Sequence, residues 1–183
     1  DLLHPCQVLA DLQTVREHKG SLEGLKLAYI GDGNNMAHSL IYGGVQMGMT
    51  VSIAHPSGYA PDSGVVARAR EIADATGGGV QVTENPREGV SDADVVYTDV
   101  WASMGQEAER QERLALFEGY CVDTDLMGCA NSDAIFLHCL PAHRGEEVEG
   151  VVIDGPQSRV FDQAENRMHV QNAIMAWLVK NGN

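Results

Sequence analysis

No apolar stretch in these 183 residues approaches the roughly 20 consecutive residues that a bilayer-spanning helix needs, so a membrane protein is not expected. Positive charge is scarce too. Lys and Arg number 12 against 26 Asp and Glu, a formal net charge of -14, which disfavours nucleic acid or an anionic membrane surface as partner. Cysteine is limited to Cys6, Cys121, Cys129 and Cys139, without CxxC spacing or a disulfide-dense pattern, and a reducing, cytoplasmic setting is the simplest home. Signal peptide, internal repeat and low-complexity tract are all lacking. The chain opens on Asp1, in the approach to a helix, rather than on Met, and upstream sequence is therefore expected. What is present is a chain 44% hydrophobic and long enough to bury well over half its unfolded surface, suited to a small-molecule ligand.

The apolar residues Val8, Leu9, Leu12 and Val15 recur at helical spacing over residues 4–19, and Gly20 stops the pattern. Residues 26–30 read as a strand, 31–35 as a turn, 36–47 as a helix and 50–54 as a second strand. The alternation continues with a helix from about Pro61 to 75, a strand at 79–83, a short helix from near Pro86 and a strand at 94–98. Helices at 107–117 and 124–129, the latter capped by Asp123, precede a fifth strand at 134–137 and a last helix at 162–180. Residues 55–61 and 146–159 read as linker-like. This order predicts an α/β fold: a doubly wound, five-stranded parallel sheet with helices on both faces, Rossmann-like, with its ligands at the carboxyl ends of the strands. Three stretches meet that rule: 31–36, 99–105 and 138–144.

The first, Gly31-Asp-Gly-Asn-Asn-Met36, partly matches the dinucleotide fingerprint. A nicotinamide-binding module is disfavoured, because Met36 occupies the third glycine position, Asp32 would face a phosphate, and Ala54-His55 ends the second strand where an acidic ribose partner belongs. One of the two asparagines can cap the following helix, leaving the other for a polar ligand. The second and third stretches follow the fourth and fifth strands, so their loops should meet above one sheet edge, with Asp99 facing Cys139. Separately, a strand-end Asp is usually a turn residue and a buried Cys usually packing; their joint placement argues for a site. A metal site on His138, Cys139 and His143 lacks a convincing fourth ligand, and neither metal nor cofactor is called for. His143 and Arg144 are read as braces against Glu146 or Glu147.

Five motifs in order, His4-Pro-Cys-Gln7, Gly31-Asp-Gly-Asn-Asn35, Asp99 to Ser-Met-Gly105, His138-Cys-Leu-Pro-Ala-His-Arg-Gly145 and Phe161-Asp-Gln-Ala-Glu-Asn-Arg167, resemble those of ornithine carbamoyltransferases. The resemblance covers the C-terminal, amino-acid-binding half. It implies an interdomain helix at 1–20, an ornithine-binding α/β domain at 21–160 and a C-terminal helix at 161–183 returning toward an N-terminal half. It also implies transfer of a carbamoyl group from carbamoyl phosphate to the side-chain amine of L-ornithine, giving L-citrulline and phosphate, in a trimer-based homo-oligomer of the full-length protein. Carried over by residue, Asn35, Asp99, Ser103, Met104 and Leu140 would bind ornithine, with Cys139 beside the reacting amine. His4, Gln7 and Arg167 would hold carbamoyl phosphate, and Cys139, Asp99 and Arg167 would form the catalytic set. Without the resemblance, His4 and Gln7 read as a helix start with one polar face, and Arg167 as a surface arginine.

The chemistry sets a clear demand. An alkylamine has a pKa of about 10.4, so deprotonating it at pH 7 costs roughly 4 to 5 kcal/mol, and only the neutral amine attacks. Cys139 is a candidate proton acceptor or positioner, the leaving phosphate an alternative. The family's Ser-Thr-Arg-Thr-Arg phosphate grip occurs nowhere in the chain. The expectation is half of a two-domain enzyme, inactive without the other half; the alternative is a non-catalytic amino-acid-binding domain.

Overall fold

The computed structural model describes residues 2–102 and 110–182, with the side chains of 110 and 112 left aside. Helix α1 (Pro5–Lys19) begins with proline at its first turn, where a missing N–H costs nothing, and ends at Gly20, whose φ of 80° is a left-handed conformation that glycine adopts freely. β1 (Lys26–Ile30) leads into α2 (Asn35–Gln46), β2 (Thr50–Ala54), α3 (Ser63–Thr76) and β3 (Gly79–Thr83). α4 (Pro86–Val90), β4 (Val95–Thr98), α5 (Arg110–Leu116), α6 (Thr124–Met127), β5 (Ile135–His138), α7 (Gly150–Ile153) and α8 (Val160–Asn181) follow. Caps fix several starts: Asn34, Asp62, Asn85 and Asp123 each accept backbone N–H bonds at the heads of α2, α3, α4 and α6.

The five strands are all parallel in the order β3-β2-β1-β4-β5, so the chain reverses its direction of travel across the sheet between β1 and β4. That reversal opens a crevice at the carboxyl ends of those strands. β1, β4 and β5 are buried along nearly their whole length because helices cover both faces. One core layer packs α1, α2 and α3 residues such as Val15, Leu40, Ile41 and Val66 on Tyr29, Tyr97 and Leu137; the other packs Val90, Leu126, Val152 and Ile153 on Ile30, Val96 and Phe136.

The stretch expected to be a linker at 146–159 is instead part of the second layer. Val148, Val152 and Ile153 are buried, α7 forms within it, and Arg144 spans its start with a bidentate pair to Asp154 at 2.8 and 2.9 Å. The strong last helix begins slightly earlier than predicted, and its first half lies along α1. Of the helix expected at 107–117, the part before 110 lies outside the described residues. No described helix is long and apolar enough to cross a membrane.

Candidate active site

Packing accounts for a glycine in the turn after β1. A Cβ on Gly33 would sit 2.2 Å from the Pro61 nitrogen and 2.4 Å from the Ala60 carbonyl carbon, so the loop before α3 leaves no room for a side chain there. Asp32, awkward for a dinucleotide, is paired with Arg113 at 2.7 Å. Arg113 also donates to the Trp101 carbonyl at 2.9 Å and lies over the Tyr59 ring.

The cap anticipated for one of the two asparagines falls to Asn34. Asn34 Oδ1 accepts from the backbone of Met36 (2.9 Å) and Ala37 (3.3 Å), which turns its amide nitrogen outward to donate to Asp99 Oδ2 at 3.3 Å. Asn35, half-buried, begins α2 beside it. Asp99 leaves the end of β4 with only 8% of its surface exposed. Cys139, one residue past β5, donates from Sγ to Asp99 Oδ1 at 3.1 Å. The strand-end carboxylate and the strand-end thiol therefore meet at the carboxyl ends of two neighbouring strands.

Electrostatics follow from that contact. Burial pushes the Cys139 thiol well above its usual range, and the Asp99 charge and hydrogen bond push it further. In the unliganded chain the sulfur is thus held as a thiol donating to a carboxylate. The loop beyond it is braced by His138, whose Nδ1 accepts from Leu140 N at 2.9 Å; its proton therefore sits on Nε2, which pairs with Glu147 Oε1 at 3.2 Å. With both ring nitrogens engaged, His138 has no lone pair for a metal, although its atoms stand within 4.8 Å of Asp99 and Cys139. Leu140 adopts φ 57°, a left-handed geometry uncommon for leucine, and precedes a cis peptide to Pro141. His143 braces as expected, its N–H bonding Glu147 at 2.5 Å, whereas Arg144 turns to Asp154 rather than to either glutamate.

A second group is assembled by α1 and α8. Arg167 donates to Gln7 Oε1, joining the two helices across 160 residues of sequence. His4, at the N-cap of α1, is placed by its backbone N–H to Ser39 Oγ at 2.6 Å. Burial lowers its imidazole pKa, Arg167 lowers it further and Asp99 raises it, so His4 stands within electrostatic reach of both residue groups. Ser103 and Met104, the other two residues carried over for ornithine, lie outside the described residues.

The structure adds residues that sequence reasoning passed over. Asn34 fixes Asp99 as well as capping α2. Asp11 and Gln163 are buried between α1 and α8, with Gln163 Nε2 donating to Asp11 Oδ1 at 2.7 Å and Tyr97 Oη at 3.0 Å. Their signal was available: Asp11 lies four residues after Gln7, and Gln163 four before Arg167, so each pair shares a helical face.

Residues 23–178 match the family model described as aspartate/ornithine carbamoyltransferase, Asp/Orn binding domain. The chain is 57% identical over 176 residues to the ornithine carbamoyltransferase of Gloeobacter violaceus, covering 96% of this chain and 56% of that protein. It is 55% identical to that of Thermococcus kodakarensis, again over 96% of this chain. Among solved structures, the Pyrococcus furiosus ornithine carbamoyltransferase superposes with a TM-score of 0.92 at 53% identity, over 96% of this chain and 56% of that one. An N-acetyl-L-ornithine transcarbamylase superposes with a TM-score of 0.85 at 33% identity, over 97% of this chain and 57% of that one. The chain thus spans a little over half the length of these relatives. With the motif order and the sheet topology in agreement, the chain belongs to the aspartate/ornithine carbamoyltransferase family and carries its Asp/Orn binding domain.

Proposed function

We propose that this chain supplies the ornithine-binding half of an ornithine carbamoyltransferase, which moves a carbamoyl group from carbamoyl phosphate to the side-chain amine of L-ornithine. The observation that carries the reading is the Asp99–Cys139 contact at 3.1 Å, at the carboxyl ends of β4 and β5. Asp99 takes the α-ammonium of the substrate, and Asn35, Ser103 and Met104 complete the amino-acid end. The chain of methylenes then runs toward Cys139 and Leu140, where the side-chain amine meets the carbamoyl carbon. His4, Gln7 and Arg167 hold carbamoyl phosphate on the opposite side.

The amine attacks as its neutral form, a new N–C bond forms and the C–O bond to phosphate breaks. One amine proton must leave. The leaving phosphate is the better acceptor, because burial and Asp99 keep Cys139 protonated. Cys139 then acts by position, its thiol packing beside the amine. Pairing of the α-ammonium with Asp99 also compensates the carboxylate charge that a buried site would otherwise leave exposed to the sulfur.

Arg113 is paired with Asp32, and the guanidinium assigned to carbamoyl phosphate is that of Arg167, itself bonded to Gln7. A phosphate dianion needs more compensation than that, and a second reading follows: by itself the chain binds amino acid without turnover. Calorimetry with L-ornithine on the chain alone, and citrulline formation after adding the N-terminal half of a family member, separate the two. Ornithine is expected to bind the chain and to be carbamoylated only in the assembly. Preference for putrescine, N-acetylornithine or aspartate as acceptor would overturn the substrate assignment.

A further inference from the structure

Between the two groups of site residues runs a buried polar chain that starts from Arg167 and Gln7 and continues through Asp11 and Gln163, two residues with no substrate role of their own. Arg167 donates to Gln7 Oε1; Gln7 Nε2 donates to Asp11 Oδ1 at 2.8 Å; Gln163 Nε2 donates to the same oxygen at 2.7 Å; and Gln163 Oε1 accepts from the backbone N–H of His138 at 3.0 Å. Asp11 is fully buried and Gln7 and Gln163 are 1% exposed, so water cannot stand in for a lost partner.

An ionised carboxylate only accepts hydrogen bonds. Two glutamines that share Asp11 must therefore both turn their NH2 groups toward it, which leaves both carbonyl oxygens pointing away. One of those oxygens meets the Arg167 guanidinium, the other the N–H of His138, the residue before Cys139.

We propose that Asp11 is a positioning residue which, by fixing the amide orientation of Gln7 and Gln163 together, holds Arg167 and the Cys139 strand end in the arrangement that receives carbamoyl phosphate. The kinetic part of this proposal rests on the carbamoyltransferase reading; the amide orientation does not. Burial pushes the Asp11 carboxyl up to about 7, against the pull of Gln7, Gln163, Tyr97 and Arg167, which hold it down. Its Oδ2 is sealed without a hydrogen bond, a ready place for the proton. The titratable and charged groups facing it are the Tyr97 hydroxyl from β4, Arg167 from α8 and the Cys139 thiol beyond β5. Protonation ends the acceptor-only rule and frees one amide to turn.

The first test uses the labelled chain alone. The side-chain amide resonances of Gln7 and Gln163, followed by NMR from about pH 5 to about 9, should titrate together with a midpoint near 7, and that titration should vanish in Asp11→Asn. Independent midpoints, no titration, or a titration that survives in the variant would each overturn the proposal. Should Asp11→Asn fail to fold, the wild-type titration decides alone. The second test uses the chain assembled with the N-terminal half. Asp11→Asn should raise KM for carbamoyl phosphate about tenfold while kcat changes less than about threefold, as expected for losing the orientation of one charge-assisted hydrogen bond. In the wild type, that KM should rise as pH falls through about 7, a limb missing from the variant. An unchanged KM, or a loss confined to kcat, would refute it. If the wild-type assembly makes no citrulline, the functional reading fails and the amide titration still judges Asp11.

Discussion

At the scale of single residues, the site is governed by two carboxylates with opposite surroundings. Asp99 accepts from a thiol, an amide and its own neighbour's N–H, and it repels charge from the sulfur it touches. Replacing it by asparagine keeps an oxygen that can accept from the thiol but removes the charge, which after burial is the largest cause that holds Cys139 protonated. We expect Cys139 in Asp99→Asn to be alkylated faster at pH 8, roughly tenfold for each pKa unit recovered, as followed peptide by peptide by mass spectrometry. Cys121, pushed up to about 11 chiefly by burial and then by Glu149, Asp123 and Glu147, serves as the internal slow control. An alkylation rate at Cys139 that does not move would mean that burial alone sets its reactivity. Asp11 makes a stability prediction of its own. Its carboxyl titrates near 4 when unfolded and about 7 when folded, so between those values the folded chain holds a proton that the unfolded chain has lost. That contribution is complete below about pH 4 and fades as pH rises to about 7. In urea denaturation, Asp11→Asn should therefore gain stability relative to wild type on going from pH 5 to pH 8; a difference that is flat with pH would contradict it.

At the scale of elements, what can be traced in the sequence is what repeats locally. Strands and helices alternate because the strand runs are short and mostly apolar, and four of the helices, α2, α3, α4 and α6, start on a side-chain cap; Asp123, predicted to start α6, does so through Leu126 N at 2.7 Å. Asp123→Ala should cost about 1 kcal/mol in denaturant unfolding. What could not be traced depends on distant partners. The 146–159 stretch looked like a linker because its turn residues outnumber its apolar ones, yet Val148, Val152 and Ile153 find a sheet face to bury against. Likewise, nothing local says that Gly33 is needed by Ala60 and Pro61 or that Asp32 belongs to Arg113. In the site, Asp99 and Cys139 were readable because parallel topology brings neighbouring strand ends together. The bond from Asn34 to Asp99 was not, since it forms only when β4 arrives, and Asp11, although four residues from Gln7 on one helical face, gains its partner Gln163 only when α8 does. Gly33→Ala sharpens the point: its methyl would land 2.2 Å from backbone, so it should destabilise the chain by at least about 1–3 kcal/mol, whereas a glycine kept only for a phosphate would tolerate alanine in the unliganded chain.

At the scale of the whole molecule, the two ends of α8 live in different surroundings. Its first half is held to α1 by Gln163, Asn166 and Arg167, while Trp177, Leu178 and Val179 in its last turns are 64%, 51% and 86% exposed. Apolar side chains gathered at one helix end on a chain of -14 net charge need a cover, and the chain spans 56% of the length of its Gloeobacter relative. On the functional reading proposed above, that cover is the N-terminal half, the same body that must bring the missing phosphate charge compensation. The isolated chain is then expected to bind a hydrophobic dye and to lose most of that signal on titration with the N-terminal half. Trp177→Ser with Leu178→Ser should lower the dye signal of the chain and weaken assembly, raising the half-saturating concentration by tenfold or more, since two large side chains together bury about 3–6 kcal/mol of apolar surface. Ornithine binding, measured by calorimetry on the same double variant, should be unchanged because neither Trp177 nor Leu178 is among the residues proposed to hold ornithine. Dye binding that the N-terminal half leaves untouched would show that this helix end faces something else.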